Sequence, residues 1–360
     1  MSFASQLLLH RRRTVSLRGV KTITMVKDFF SRKPKYCCWV LNYRCMFRCK
    51  MCNIWDTDGN KGQETTMEQK KQLVRSLRGV VEPSFEFHLS GGEPLMTEGV
   101  LDLVNFIGNE GYKTNMVTNG FLIDEAMAES IASSSLGTLT ISLDGIIPET
   151  HDFIRGVKGS YDRIMKAIGY LDKFRKNGKP KISILTIIME HNLDEILKLT
   201  DWVQKDERIE MVSFQAITQP FGEEADIVWF MKEKNNLFWP QDAVKTSKIM
   251  EKLRELRLSG CKIGNHHNHF LHFKEYFHDP DKFLKKIKCN LGDYEFHIDP
   301  YGKTFFCCLM DPIGNIKTDN LPDVWYSGKA QEIRKNVYNC SKNCHIMINC
   351  FYEDESGIAP

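Results

Sequence analysis

The sequence predicts an α/β fold, a partial parallel (β/α)6 barrel followed by a small α+β domain. Three observations carry that expectation. Between residue 36 and about 216, short β-branched apolar runs alternate with longer amphipathic ones. After Gly222 the rhythm stops. A compact C-terminal segment follows, with a hairpin pattern and a late group of cysteines.

The strands are expected at residues 36–42, 85–89, 113–117, 138–143, 181–188 and 211–216. Between them, 67–77, 99–110, 124–133, 161–175 and 194–203 carry apolar residues at three- and four-residue spacing, the mark of helices with one buried face. Strands alternating with helices imply parallel pairing through right-handed crossovers. Barrels built this way do their chemistry on the loops that follow the strands. Residues 223–285 read as polar, helical and aromatic, with Trp229, Phe230, Phe238 and Trp239 ahead of a long helix at 243–257. A hairpin of 294–298 and 304–309 turns at Asp299-Pro300-Tyr301-Gly302. The expected organisation is a basic arm (1–35), the barrel (36–222), a helical and aromatic connection (223–285) and a cysteine-bearing small domain (286–360).

A chain of 360 residues, 42% hydrophobic and 26% charged, can bury a sizeable core without disulfides. No apolar run approaches the ~18 residues of a transmembrane helix. The opening MSFASQLLLHRRR places its apolar stretch before its arginines and has no small-residue cleavage site, so it does not read as a signal peptide. A cytoplasmic location is expected. The net charge of +3 argues against bulk nucleic-acid binding, and no nucleic-acid partner is expected. The charge is uneven, because residues 1–35 hold nine Lys/Arg against Asp28 alone. Such an arm suits peripheral contact with an anionic inner membrane surface, or packs as a solvated arm beside the first strand.

Twelve cysteines fall at 37, 38, 45, 49, 52, 261, 289, 307, 308, 340, 344 and 350. Two separated groups, with none between 52 and 261, suggest metal sites in a reducing compartment rather than a disulfide scaffold. Cys45-Met-Phe-Arg-Cys49-Lys-Met-Cys52 follows the first strand directly. Iron–sulfur clusters take thiolate ligands, normally four. Three close cysteines hold three corners of a cubane and leave one iron open to a small ligand. The alternative is structural zinc, but such sites close with a second Cys-x2-Cys pair, and none is adjacent.

Three more stretches stand at predicted strand ends. His88-Leu-Ser-Gly-Gly-Glu-Pro-Leu95 follows the second strand. Its glycines allow close backbone approach to a ligand, and Glu93 can accept from an ammonium. Thr118-Asn119-Gly120 ends the third strand and Ser142-Leu-Asp144-Gly145 the fourth, ahead of His151-Asp152-Phe-Ile-Arg155-Gly-Val-Lys-Gly159. Arginine suits a carboxylate because its planar fork donates two parallel hydrogen bonds.

These residues resemble the radical S-adenosylmethionine (SAM) enzymes, a TIM-like partial-barrel family whose signature is the CxxxCxxC loop. The likeness covers roughly residues 36–220. It implies that Cys45, Cys49 and Cys52 hold a [4Fe–4S] cluster bound to SAM. It also implies that the segment Gly91, Gly92 and Glu93 receives the SAM amino group, that Asn119 lines the pocket, that Ser142 and Arg155 hold the carboxylate, and that Asp144 lies near the ribose. The reaction implied is reductive cleavage of SAM to methionine and a 5′-deoxyadenosyl radical, which takes hydrogen from a substrate. A reducing donor such as flavodoxin or ferredoxin is implied as a partner.

Cys289-x12-Gly302-x4-Cys307 and Cys340-x3-Cys344-x5-Cys350 resemble the SPASM/Twitch extension of part of that family. With four thiolates per cubane, the six cysteines of 289–350 suit one auxiliary [4Fe–4S] cluster rather than two. Its expected ligands are Cys289, Cys307, Cys340 and Cys344, with Cys350 the alternative to either of the last two. The extension is expected to cap the open end of the barrel, and its cluster to accept or conduct electrons. Structural zinc remains the alternative there. The expected substrate is a small metabolite, a sugar or a lipid-linked molecule, since 44 residues before Cys45 are too few for an added peptide-recognition domain. A peptide-modifying SPASM maturase and, from another class, a zinc-bearing binding scaffold are the alternatives. The run His266-His267-Asn-His269-x2-His272 reads as a polar loop or cleft lining rather than a metal site, and Cys37 and Cys38 point to opposite faces of the first strand.

Overall fold

The computed structural model describes residues 33–57, 60–220, 223, 226, 228–281, 289, 291–340 and 348–349. Residues 1–32 of the basic arm, Cys344 and Cys350 lie outside the described residues.

All six expected barrel strands form: β1 (Tyr36–Val40), β2 (Glu86–Ser90), β3 (Lys113–Thr118), β4 (Thr138–Ser142), β5 (Lys181–Ile188) and β6 (Met211–Ala216). They pair in parallel and in sequence order. Three further strands, β7 (Glu295–Ile298), β8 (Lys303–Phe305) and β9 (Gly314–Asn315), bring the open sheet to nine in the order β6-β5-β4-β3-β2-β1-β7-β8-β9. Among the described residues the α-helices of six residues or more are α1 (Met67–Ser76), α2 (Val100–Asn109), α3 (Glu125–Ala132), α4 (Pro148–Arg155), α5 (Ser160–Phe174), α6 (Ile196–Lys205), α7 (Ala243–Leu258), α8 (His269–His278), α9 (Leu321–Tyr326) and α10 (Gly328–Tyr338). Among the described residues no helix is long and apolar enough to cross a membrane.

Two-residue alternation explains why this sheet has two unlike faces. Cys37, Trp39, Phe87, Leu89, Phe296 and Ile298 are fully buried and join the helix-facing core. The Trp39 and Phe87 rings sit 5.7 Å apart. Each such side chain contributes roughly 1.5–3 kcal/mol by leaving water. The opposite, inner face is polar, carrying Tyr36, Cys38, His88, Asn115 and Thr140, with Thr140 Oγ1 donating to Asn115 Oδ1 at 2.8 Å. Helix starts follow their local chemistry. Thr66 and Gln69 form a reciprocal capping box for α1, and Asp124 accepts from Met127 N at 2.8 Å at the start of α3.

One helix, α4, stands where the sequence pattern predicts no element, and another, α8, where the histidine run reads as a polar loop or cleft lining within a helical and aromatic segment. α4 opens with Pro148 and closes at Gly156, whose φ of +69° is the left-handed stop that glycine permits. α8 takes up the histidine run after its first residues, because Phe270, Phe273, Tyr276 and Phe277 bury one side of it.

The expected hairpin forms as β7 and β8, with Gly302 N donating to Asp299 O at 3.0 Å in its turn. It is also more than a hairpin. β7 lies parallel to β1, pairing Tyr36 with Glu295 through Trp39 with Ile298, so that Phe296 and Ile298 continue the apolar layer of Cys37 and Trp39. At the far edge, Asn265 bonds both backbone groups of Phe214 (2.7 and 2.8 Å), and Asn349 bonds both of Ala216 (2.9 and 2.7 Å). Two asparagine side chains thereby cover an edge that would otherwise offer free donors and acceptors. The C-terminal part of the chain therefore touches both edges of the six-stranded unit, through β7 beside β1 and through Asn349 beside β6.

Candidate active site

The loop of residues 45–52 leaves the C-terminal end of β1, where a parallel barrel places its chemistry. Leading into it, Asn42 is buried and donates through Nδ2 to Glu93 O (3.0 Å) and Thr97 Oγ1 (2.7 Å), while its Oδ1 accepts from Arg44 N (2.8 Å). Gly91 and Gly92 pack on this same segment. A Cβ at Gly91 would stand 2.4 Å from Asn42 O, and one at Gly92 would stand 2.1 Å from Arg44 O. Gly92 N and Glu93 N donate to those two carbonyls at 2.9 and 2.8 Å. The close approach the glycines permit is thus to the chain entering the cysteine loop. On its other side the loop rests on the end of α4, where Lys50 N donates to Ile154 O at 2.9 Å and a Cβ on Gly156 would meet Arg48 O at 2.4 Å.

Within the loop, Cys45 Sγ accepts from Phe47 N at 3.4 Å and from Asn119 Nδ2 at 3.8 Å. Burial raises all three thiols. For Cys49 it does so to about 11, with the Arg155 guanidinium opposing and Cys52, Asp144 and Cys45 adding. The three sulfurs therefore feel one another's charge, and such a group is stable as thiolates only with a cationic centre among them. This donor set fits an iron–sulfur cluster bound through three corners.

Arg155, the last residue of α4, is buried and its Nε lies 2.6 Å from Asp144 Oδ2. Burial works against its charge, but Asp144 and Cys49 hold it above its ordinary value. Asp144 is fully buried, its Oδ1 accepting from Ile187 N at 2.9 Å and its carbonyl from Asn192 Nδ2 at 2.7 Å. Its own N–H donates to His151 Nδ1 at 3.2 Å, and burial holds His151 neutral, with its pKa down to about 3. The Asp144 carboxylate lies against Arg155 and fixes it. Ser142, also buried, sits two residues earlier at the end of β4.

Glu93 is likewise fully buried. Its oxygens accept from Leu95 N (3.1 Å), Thr118 Oγ1 (2.7 Å) and Asn119 N (2.8 Å), and burial pushes its pKa up. Through these donors the carboxylate ties the end of β2 to the end of β3. Asn119 is held so that its amide reaches Cys45. Sequence spacing gave no signal for two further supports. Glu195 accepts from Ile146 N (2.7 Å) and Ile147 N (2.8 Å), and Asn192 braces Asp144.

In the second cysteine group, Cys289, Cys307 and Cys340 lie beside elements joined by one side chain, Arg334. Arg334 is buried and donates to Gly292 O and Trp325 O, each at 2.8 Å. It also stacks on the Phe306 and Trp325 rings at 4.4 and 4.2 Å. Gly292 follows Cys289 closely, Phe306 precedes Cys307, and α10, which carries Arg334, runs into Cys340. Cys308 raises the Cys307 pKa, as does burial. In the histidine run, His269 is tied to Ile348 O at 2.7 Å and Asn265 Nδ2 at 3.2 Å, a structural arrangement.

Comparison with known proteins bears on both regions. Residues 39–203 match the profile of the radical SAM superfamily, and residues 289–350 match SPASM, an iron–sulfur cluster-binding domain. The AdoMet-dependent heme synthase of Methanosarcina barkeri is 26% identical over 305 residues, covering 82% of this chain and 83% of its own. The PqqA peptide cyclase of Rhizobium meliloti is 23% identical over 300 residues, 81% of this chain and 73% of its own. In fold, the chain resembles Streptococcus suis SuiB bound to S-adenosylmethionine, with a TM-score of 0.65 at 16% identity over 88% of this chain and 72% of that one.

Proposed function

The chain belongs to the radical SAM superfamily and carries a C-terminal SPASM domain, and on that premise we propose that it oxidises a small-molecule substrate using one auxiliary [4Fe–4S] cluster as electron acceptor. It is an enzyme that uses SAM and iron–sulfur clusters. The bound SAM and its cluster supply the reductive cleavage that generates a hydrogen-abstracting 5′-deoxyadenosyl radical, the electron coming from a flavodoxin or ferredoxin.

The observation that carries the assignment of the site is Arg155, a buried guanidinium braced by a buried carboxylate beside Cys49. Cys45, Cys49 and Cys52 hold the SAM-binding cluster. Arg155 receives the SAM carboxylate, with Asp144 setting the plane of its fork and the Ser142 hydroxyl assisting. Gly91, Gly92 and Glu93 form the wall that meets the amino group, where Glu93 acts by fixing the backbone of Thr118 and Asn119. Asn119 lines the pocket beside Cys45. Burial of these groups excludes water from the radical. Cys289, Cys307 and Cys340, with Cys344 or Cys350, hold the auxiliary cluster.

The small-molecule reading is supported by the polar inner face of β1, β2 and β3 and by a heme synthase relative that matches along most of both chains. Similarity to a peptide cyclase favours the second reading, peptide modification. The test is 5′-deoxyadenosine formation by reduced, reconstituted enzyme given fractions of a cell extract. Stimulation by the low-molecular-weight or lipid fraction that survives protease treatment is expected. Stimulation abolished by protease overturns the small-molecule reading in favour of a peptide.

A further inference from the structure

β7 lies beside β1 in the register that sets His297 opposite Cys38 and Glu295 opposite Tyr36. Because side chains alternate along a strand, Cys38, Glu295 and His297 share the inner face, away from the buried layer of Cys37, Phe296 and Ile298. Glu295 Oε2 lies 3.8 Å from Cys38 Sγ, and Glu295 Oε1 lies 3.0 Å from His297 Nε2. The three donor atoms all lie within 4.8 Å of one another. A tetrahedral zinc ion, with bonds of about 2.3 Å to sulfur and about 2.0–2.1 Å to nitrogen or oxygen, sets its ligands roughly 3.3–3.6 Å apart. The two separations from Glu295 bracket that range, and the one between Cys38 and His297 stays within 4.8 Å.

The charges agree with the distances. Glu295 is 1% exposed, and a buried carboxylate is stable only with compensation. Here a thiol and an imidazole are both turned on it, each placed to share a proton with it. One divalent cation replaces those two protons and leaves Cys38 and Glu295 as anions and His297 neutral, an electrically balanced set. One thiolate, one imidazole and one carboxylate make a mixed donor set that suits zinc better than magnesium or calcium, which want oxygen alone.

We propose that Cys38, Glu295 and His297 form a zinc site on the inner face of the sheet, built from ligands of its own although His297 stands near enough to Cys307 to feel its charge, with a fourth position that takes water. Filling it releases two protons to solvent, that of the Cys38 thiol and the one His297 Nε2 shares with Glu295. The site is distinct from the SAM-binding loop, and its presence does not depend on the identity of the substrate.

The experiment is to equilibrate the reconstituted, full-length holoenzyme with zinc, desalt it against a weak chelator, and measure metal content and the zinc X-ray absorption fine structure. About one zinc per chain is expected beyond the iron, with a shell of one sulfur near 2.3 Å and three nitrogen or oxygen atoms near 2.0–2.1 Å. Glu295→Gln and Cys38→Ser should each weaken zinc retention at least about tenfold while iron content stays unchanged, which also reports that the variant has folded. No retained zinc in the wild-type protein overturns the proposal. So does a four-sulfur shell, which would mean zinc misplaced in a cluster site, and so does full retention in both variants.

Discussion

The two cysteine groups of this chain are built in opposite ways. Cys45, Cys49 and Cys52 occupy one loop of eight residues, bonded to Ile154 through Lys50 N and entered by a segment whose Asn42 and Arg44 carbonyls are held by Gly92 N and Glu93 N. Cys289, Cys307 and Cys340 are spread over fifty-odd residues and depend on elements that meet only when β7 docks on β1 and Arg334 ties its surroundings together. The first site is a local device on a rigid barrel. The second is a product of tertiary assembly. They should therefore fail differently when perturbed.

The sharpest contrast is expected from the ligands. Cys49→Ala should abolish 5′-deoxyadenosine formation while leaving the auxiliary iron in place. Normal SAM cleavage by that variant would remove the first group from the chemistry. Next, Asp144→Ala leaves Arg155 as an uncompensated buried charge and should destabilise the barrel by about 3–5 kcal/mol in urea unfolding. A loss under about 1 kcal/mol, the scale of an exposed ion pair, would mean that Asp144 does not hold Arg155.

Arg334→Met should cost somewhat less, roughly 2–4 kcal/mol, by orphaning two carbonyls and losing the ring contacts. Its effect should be selective, lowering auxiliary iron while the SAM-binding iron is kept. Equal loss from both sites would erase the contrast between them.

The smallest effect is a pH slope. An ordinary histidine takes up a proton near 6.5, whereas folded His151 does so only near 3. Between those values the unfolded chain binds more protons. His151 therefore contributes stability above about pH 6.5 that is lost as pH falls toward about 3, by up to about 1.4 kcal/mol per pH unit. His151→Gln keeps an acceptor for Asp144 N and should flatten that slope. Urea midpoints measured between about pH 7 and pH 5 check it, and an unchanged slope would exclude His151 as its source.

Legibility followed the same division. The six barrel strands and their helices were readable because each is a run of local periodicity, and the CxxxCxxC loop because its ligands are neighbours in sequence. The parallel docking of β7 on β1 was not readable, since a hairpin signal describes only the local pair and the contact of Cys38 with Glu295 spans 257 residues. The roles of site residues were partly obscured for a related reason. Glu93 and Asp144 read as ligand-facing carboxylates in sequence, while their internal partners, backbone donors for both and the buried Arg155 for Asp144, are set by contacts that no spacing reveals. The histidine run reads in sequence as a polar loop or cleft lining, whereas from His269 onward it is helical because the aromatic residues of α8 bury one side.

The most direct test of two independently held clusters is the iron and sulfide content of the anaerobically reconstituted Cys45→Ala, Cys49→Ala, Cys52→Ala triple variant. About four irons and four sulfides per chain are expected, all at the SPASM domain. A variant that folds yet binds no iron would contradict an auxiliary cluster, and about eight irons would contradict a single one.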